Sequence, residues 1–199
     1  MNAKVLGNNQ KGLAFVVSAP AGTGKTTLVH MLAQEFPCVV ESVSFTTRLQ
    51  RPGEIAGVHY NFVSNEEFES KIANDDFLEF VQLYGCYYGT SHRAVQALQN
   101  QGKHVILVID TQGALQLKTW FPATFIFLQP PSLEVLRERL VQRKTETLTV
   151  IEQRLAIAQK EIEASCHYDY CITNDDLSTA YQVLRSIVIA EEHRLQKNK

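Results

Sequence analysis

The sequence predicts an α/β fold in which helices flank a parallel sheet and one lobe is inserted into the chain. A continuous apolar run at residues 13–17, and runs at 104–109 and 124–128 that are apolar after His104 and Thr124, are typical of strands that are buried on both faces. Helical patterns separate and follow these runs, and such an alternation forms a parallel sheet. Residues 44–91 break the alternation because they are rich in Thr, Tyr, Phe and Gly, which indicates a small mixed or antiparallel lobe.

The remaining elements are predicted from apolar periodicity and from the residues that start or stop helices. The helix after the first strand ends at Pro37, and the helix of the lobe begins at a cap supplied by Ser64 or Asn65. Helices are expected over residues 26–36, 65–73, 93–100, 113–120, 133–143, 150–165 and from 177 to about 196, and further strands over residues 58–63, 77–84 and 168–173. The core then comprises residues 1–43 and 92–199, on either side of the lobe.

Composition and charge exclude several classes of protein. Lys and Arg number 19 against 21 Asp and Glu, so a net charge of −2 provides no field for a nucleic-acid polymer. The longest apolar runs are too short to span a membrane, and residues 1–12 contain no apolar stretch that could act as a signal peptide. The four cysteines are scattered without the spacing of a zinc site, which favours reduced thiols and a cytoplasmic location.

Residues 19–26 carry a phosphate-binding motif. They read APAGTGKT, which matches the P-loop pattern G-x-x-x-x-G-K-[ST] except for Ala19 at the first glycine. Gly22 and Gly24 let backbone N–H groups surround a phosphate, and Lys25 and Thr26 suit the β/γ-phosphates and Mg²⁺. The motif follows a strand and opens a helix, which favours a nucleoside triphosphate site over an incidental turn.

The lobe contains a candidate site for a second phosphate. Residues 44–54 read SFTTRLQRPGE, and their two guanidinium groups, Arg48 and Arg51, could clamp a phosphate monoester. Tyr60 and Tyr88 could donate hydrogen bonds to the same oxygens. Two arginines alone are more often a solvated basic loop, so this hypothesis depends on the motifs around them.

Taken together, these motifs resemble those of the guanylate kinase family, from about Leu13 to the C-terminal helix. Further matches are YYGTS at residues 87–91, IDTQG at 109–113, PPS at 130–132, RKTET at 143–147 and NDD at 174–176. The resemblance implies a P-loop parallel sheet flanked by helices, with a GMP-binding lobe and a short helical lid at about residues 140–156. It also implies an enzyme that, with Mg²⁺, transfers the γ-phosphoryl group of ATP to GMP, and to dGMP, giving ADP and GDP.

The resemblance assigns a role in GMP binding to eight residues of this chain. Glu79 is implied to read guanine, whose N1–H and N2–H donors one carboxylate can accept together, whereas adenine presents an acceptor at N1. A lone Glu in such a segment is otherwise more often a solvated side chain. The full implied set is Ser44, Arg48, Arg51, Tyr60, Glu79, Tyr88, Thr90 and Asp110.

The resemblance also assigns catalytic and ATP-binding residues. Lys25, Arg48 and the lid arginines Arg143 and Arg154 are implied to neutralise charge during transfer, which is most of what phosphoryl transfer requires of a protein. Thr26 is implied to ligate the Mg²⁺ that accompanies ATP. The implied ATP-binding set is Ala19, Pro20, Ala21, Gly22, Thr23, Gly24, Lys25, Thr26, Thr27, Arg139 and Asn174.

Two departures from the family pattern lie near these sites. Val108 stands where an Asp is usual, and Lys144 replaces a glycine of the lid. An alternative interpretation is a non-catalytic module of the same fold that binds phosphopeptides, but the intact Lys25 and Thr26 disfavour it. A kinase for another nucleoside monophosphate is disfavoured by Glu79. ATP and GMP are the expected partners, with no membrane or nucleic acid, and the chain is expected to be a monomer or a weak homodimer.

Overall fold

The structure, a computed structural model, describes residues 4–142 and 147–195. In chain order its elements are β1 (Ala14–Ser18), α1 (Lys25–Glu35), β2 (Val39–Glu41), β3 (Phe45–Thr46), β4 (Asn61–Phe62), α2 (Asn65–Ala73), β5 (Phe77–Leu83), β6 (Cys86–Ser91), α3 (His92–Asn100), β7 (His104–Val108), α4 (Thr111–Lys118), β8 (Thr124–Gln129), α5 (Leu133–Gln142), α6 (Leu148–Glu163), a short 3-10 helix (Ala164–His167), β9 (Tyr170–Thr173) and α7 (Leu177–Glu192). No helix in these described ranges is long and apolar enough to cross a membrane.

The larger sheet has five parallel strands in the order β2-β7-β1-β8-β9. All five residues of the central strand β1 are buried. Because side chains alternate between the faces of a strand, Phe15 and Val17 pack in a cluster with α1 and α7. Ala14 and Val16 pack in another cluster, on α3 and α4. The predicted parallel sheet flanked by helices is therefore confirmed.

The smaller sheet is formed by residues of the inserted lobe, in the order β4-β3-β6-β5. β3 pairs with β4 in parallel, whereas β6 is antiparallel to both β3 and β5. The helix α2 covers this sheet through Phe68, whose ring stacks on Phe77 and Tyr87 with centroids 4.5 and 5.1 Å apart. Ser91 ends β6 and also caps α3 by accepting a hydrogen bond from the Ala94 amide, so the lobe continues directly into the core.

The helices α5 and α6 form a hairpin beside the core. Leu136 and Leu140 of α5 pack against Ile151 and Ala158 of α6. An ion pair at the surface joins the same two helices through Arg137 and Glu152. Residues 143–146, which lie between these helices and include Arg143 and Lys144, are outside the described part of the chain.

Several predicted boundaries need correction. The strand expected at residues 58–63 is confined to Asn61–Phe62, because the amides of Val58 and His59 both bond to the carbonyl of Ile55 in a turn. The helix expected from residue 113 begins at Thr111, because Asp110 caps it.

The other corrections are small shifts and missed strands. The helices expected over residues 150–165 and 177 to about 196 span Leu148–Glu163 and Leu177–Glu192, and the strand expected at 168–173 begins at Tyr170. The helix expected over 133–143 is described as Leu133–Gln142, with its last expected residue outside the described ranges. The strands β2, β3 and β6 were not predicted.

The two ends of the described chain are fastened together by Glu192 of α7. Its carboxylate accepts hydrogen bonds from the amides of Gly7 and Asn8 at 2.7 and 3.0 Å. It also contacts Nε2 of the buried His104 at 2.5 Å. Because His104 Nδ1 accepts a hydrogen bond from the Leu13 amide at 3.0 Å, Nε2 carries the ring proton and donates a hydrogen bond to Glu192. This contact lies at the amino ends of the core strands.

Candidate active site

The phosphate-binding loop lies between β1 and α1, where its motif predicts it. Gly22 and Gly24 have φ values of 95° and 93°, in the left-handed region that side chains with a Cβ rarely adopt. Gly24 is the N-cap of α1, so the positive end of this helix faces the loop. A Cβ atom at Gly24 would also lie 2.7 Å from the side-chain nitrogen of Asn174. Both the backbone and its surroundings therefore require glycine there.

Asn174 braces this loop from the far end of the sheet. Its side chain is buried, and Nδ2 donates to the carbonyl oxygen of Thr23 at 2.7 Å. Its own carbonyl accepts from Arg139 of α5 at 3.0 Å. A cavity of about 390 Å³ opens beside the loop, and its lining residues are Gly22, Thr23, Gly24, Arg139, Gln142, Asn174, Asp175 and Leu177. Two predicted ATP-binding residues outside the motif thus lie against the loop.

Lys25 lies at the start of α1 with acidic groups around it. Its Nζ donates to the carbonyl oxygen of Ile109 at 3.4 Å. Burial lowers the pKa of Lys25, and the charges of Glu161, Asp110 and Glu41 act in the opposite direction. Burial raises the pKa of Asp110 and of Glu161, because it disfavours the charged form of a carboxyl group as it does that of Lys25. These carboxyl groups and Lys25 therefore lie in a partly desolvated space.

A second cavity, of about 220 Å³, lies between the two sheets. Both parts of the molecule line it: the lobe contributes Ser44, Tyr60, Glu79, Val81, Leu83, Tyr88 and Gly89, and the core contributes Lys25, Thr26, Val108, Ile109 and Asp110. Most of the predicted GMP-binding residues therefore converge on one space, with Lys25 and Thr26 of the phosphate-binding loop at its edge.

Glu79 is the buried carboxyl group of this cavity. It is 5% exposed, and its Oε1 accepts a hydrogen bond from Thr90 Oγ1 at 2.6 Å. Within the described ranges, no ion pair involves Glu79. Burial raises its pKa to about 7, with a smaller contribution from Asp110 and an opposing one from Thr90. A buried carboxyl group without a cation fits a ligand that brings its own hydrogen-bond donors.

Arg48 is held in place by Glu54. The two side chains form a bidentate pair with N–O distances of 2.8 and 3.1 Å, and the Glu54 hydrogen bond raises the pKa of Arg48. The guanidinium carbon lies 5.4 Å from the ring centroid of Tyr60 and 5.8 Å from that of Phe62. Tyr60 in turn contacts Tyr88, with ring centroids 6.1 Å apart. Three of the four predicted phosphate-binding side chains, those of Arg48, Tyr60 and Tyr88, thus form one connected group.

Comparisons with known proteins agree with this arrangement. A family model described as guanylate kinase matches residues 11–191. The chain belongs to the guanylate kinase family. The guanylate kinase of Protochlamydia amoebophila (strain UWE25) is 60% identical over 96% of this chain and 97% of that protein. The guanylate kinase of Chlamydia trachomatis serovar D is 54% identical over 91% of this chain and 89% of that protein.

Solved structures of other proteins share the fold. The crystal structure of guanylate kinase from Anaplasma phagocytophilum superposes with a TM-score of 0.76 at 32% identity, covering 92% of this chain and 88% of that one. The SH3-kinase fragment of tight junction protein 3 shows likeness of fold alone, with a TM-score of 0.51 at 15% identity. The family resemblance and the fold class predicted from the sequence are confirmed, and a non-catalytic binding module is not favoured.

Not all of the residues that the guanylate kinase resemblance implies line these two cavities. Arg51 is exposed, and its backbone amide donates to Glu54. Thr27 is exposed on the first turn of α1. Thr90 contacts Glu79 without lining the cavity. Arg154 lies half-buried on α6, and Arg143 falls outside the described ranges.

Four residues near the guanylate kinase site were missed by the sequence reasoning. Glu54 follows Arg48 in the same run and could have been predicted as its partner. Glu41 ends β2, at the same edge of the parallel sheet as the phosphate-binding loop, which was a usable signal. Glu161 gave no signal, because the packing of a helix remote in sequence brings it to Thr111, whose hydroxyl donates to it at 3.4 Å. Gly113 has no side chain, so the sequence gives no sign of its close approach to Glu79.

Proposed function

We propose that the chain is an ATP:GMP phosphotransferase, which transfers the γ-phosphoryl group of ATP to GMP and gives ADP and GDP. The observation that carries this proposal is the cavity between the sheets, which joins the buried carboxyl group of Glu79 to Lys25 of the phosphate-binding loop. Membership of the guanylate kinase family supports the same activity.

Glu79 distinguishes guanine from adenine in this proposal. Its ionised carboxylate accepts N1–H and N2–H of guanine together, with Thr90 and Ser44 as neighbouring hydroxyl groups. AMP would place the lone pair of N1 against the carboxylate and leave a buried acceptor unsatisfied, a mismatch that discriminates strongly. Asp110 lies at the core side of the same cavity.

The phosphate of GMP is held by the group around Arg48. Tyr60 and Tyr88 line the cavity and can donate hydrogen bonds from their phenolic hydroxyl groups. Arg48 lies against Tyr60, and the guanidinium N–H groups that Glu54 does not occupy can donate to phosphate oxygens. Arg51, which is exposed three residues after Arg48 in the chain, supplies a second cation.

ATP is held by the phosphate-binding loop, from Ala19 to Thr27, with Arg139 and Asn174 beside the 390 Å³ cavity. The oxygen groups of Thr26 and Asp110 line the space next to Lys25, and hard oxygen ligands are those that Mg²⁺ prefers. Thr26 would hold Mg²⁺ together with the phosphates of ATP, and the ion would neutralise phosphate charge. Lys25 adds a fixed cation at the same place.

Transfer follows an in-line path without a covalent enzyme intermediate. Lys25 and Arg48 orient the two phosphate groups and neutralise charge. A lid over about residues 140–156, which includes the end of α5 and the first part of α6, carries Arg154. Arg143 lies outside the described residues and is assigned to the lid by the family resemblance. Closure of the lid and of the lobe, residues 44–91, against the core of residues 1–43 and 92–199 excludes water that would hydrolyse ATP.

An assay of ADP release tests the activity, with GMP, dGMP, AMP, CMP and dTMP offered in parallel at saturating MgATP. We expect turnover with GMP and dGMP, and rates that are lower by about a hundredfold or more with AMP, since adenine leaves Glu79 unpaired. Omission of Mg²⁺ should abolish turnover. Faster turnover with AMP, or none with GMP, would overturn the proposal.

We further infer that the protein acts in the cytoplasm as a monomer or a weak homodimer. All four cysteines are free thiols, which suits a reducing compartment. Sedimentation at several protein concentrations tests the oligomeric state, and a stable higher oligomer would contradict the inference.

A further inference from the structure

We propose that Gly113 is a positioning residue for guanine recognition, because its bare Cα provides the space in which the carboxylate of Glu79 lies. This inference rests on the proposed function, in which Glu79 reads the base. Gly113 lies in the first turn of α4 and is buried. A Cβ atom at Gly113 would lie 2.4 Å from Glu79 Oε2 and 3.1 Å from its Cδ, whereas ordinary contacts begin at 3.4 Å.

The carboxylate of Glu79 has little freedom to move away from this Cα. Its other oxygen is held by Thr90 at 2.6 Å, on the strand that pairs with it. The register of β5 and β6 shifts between Phe77 and Glu79, so the consecutive residues Leu78 and Glu79 are both buried. An irregularity of this kind redirects a side chain. Glu79 is thus aimed at α4 by its own strand.

The same turn of α4 also fixes the second carboxyl group of the cavity. The amide of Gly113 donates to Asp110 Oδ1 at 2.7 Å, which caps the helix. Substitution by Ala retains this amide, and Gly113 has helical backbone geometry without a positive φ, so the helix accepts Ala at this position. The methyl group is therefore the sole change, and its closest contact is the Glu79 carboxylate, followed by Asp110 Oδ1 at 3.2 Å.

Gly113→Ala should move that carboxylate by about 1 Å, the difference between the 2.4 Å approach and ordinary contact. A displacement of this size spoils the two parallel hydrogen bonds to guanine, and we expect KM for GMP to rise about tenfold or more. KM for ATP should change by less than about twofold, because the three atoms nearest to the methyl group belong to Glu79 and Asp110 and none to the phosphate-binding loop. Preference for GMP over IMP, which lacks the 2-amino donor, should fall.

The decisive measurement is a double-mutant cycle of Gly113→Ala with Glu79→Asp. The shorter Asp withdraws its carboxylate by one methylene group and leaves room for the new methyl. The rise in KM for GMP in the double variant should therefore be at least about threefold smaller than the product of the rises in the two single variants. Gln116→Ala, on the exposed face of the same helix, is the matched control and should leave both KM values unchanged.

The outcomes separate this inference from the proposed function. Additive effects in the cycle, or a more stable Gly113→Ala variant with an unchanged KM for GMP, would overturn the role of Gly113. If Gly113→Ala does not fold, the double variant should restore folding, and its failure to do so would also overturn it. Absence of GMP turnover in the unaltered chain would instead refute the proposed function.

Discussion

The carboxyl group of Glu79 lies in surroundings that favour its neutral form. Burial, with Asp110 nearby, raises its pKa to about 7 in the empty cavity. In the proposed recognition of guanine, Glu79 must be ionised, because both groups of the base that face it are donors. Binding of GMP should therefore displace a proton from a group that is half-protonated near neutral pH.

The affinity for GMP should consequently fall as the pH is lowered through about 7, by about tenfold for each further pH unit. Isothermal titration calorimetry in buffers of different ionisation enthalpy should show proton release on GMP binding. The phosphate of GMP titrates near pH ~6 as well, so Glu79→Gln is the control. An identical pH profile in this variant would assign the effect to the phosphate.

Residues of the site differ in how far the sequence predicts them. Lys25 and the glycines around it are predicted by spacing alone, because one loop and one helix terminus create the phosphate site. Glu79 is predicted by resemblance to a family, since a single Glu in a strand has no local signature. Gly113 could not be predicted, because its contribution depends on a carboxylate that another sheet delivers.

Among the elements, the loop before α7 has a larger role than its exposed sequence indicates. Asn174 connects this loop to the phosphate-binding loop through the carbonyl oxygen of Thr23. Arg139 connects the same loop to α5, the first helix of the lid hairpin. The shape of the phosphate-binding loop therefore depends on a segment about 150 residues further along the chain.

Asn174→Ala should loosen the phosphate-binding loop by removing its buried brace. We expect KM for ATP to rise by roughly tenfold, the equivalent of one hydrogen bond to a buried carbonyl group, with KM for GMP little changed. Initial-rate kinetics with each substrate varied in turn measure both constants. Thr173→Ala, an exposed neighbour, is the control. An equal rise in both KM values would indicate general loss of structure instead.

Elements differ in predictability according to their length and burial. The strands β1, β7 and β8 are buried on both faces, and the nearly continuous apolar residues that this burial requires predict them from the sequence. β2 and β3 contain three and two residues, too few for a periodic signal. β6 contains Gly and two Tyr residues, and its partner strands rather than its own composition keep it extended.

At the scale of the whole molecule, Glu192 is the main link between the two ends of the described chain. Burial opposes ionisation of this carboxyl group, but hydrogen bonds from Asn8, Gly7 and His104 lower its pKa to about 2. A depressed carboxyl pKa contributes stability that is present above the unfolded value of 4.5 and is lost as the pH falls toward about 2.

Glu192→Gln should therefore lower the free energy of unfolding at neutral pH by about 3 kcal/mol. The loss should shrink as the pH falls from about 4.5 to about 2, where the unaltered chain loses the same contribution. Urea denaturation at a series of pH values measures both effects. Glu69→Gln, at an exposed position on α2, removes the same charge and should be neutral. A pH-independent difference would contradict the assignment to this carboxylate.

The position of the contact between Glu192 and His104 has an evolutionary consequence. His104 begins β7 and Glu192 ends α7, at the amino ends of the core strands, whereas the phosphate-binding loop and Asp110 follow the carboxyl ends. Selection can therefore strengthen or weaken one edge of the sheet without disturbing substrates at the other. A lineage that gains stability around His104 therefore acquires tolerance for destabilising substitutions around the cavity at the other end of the strands.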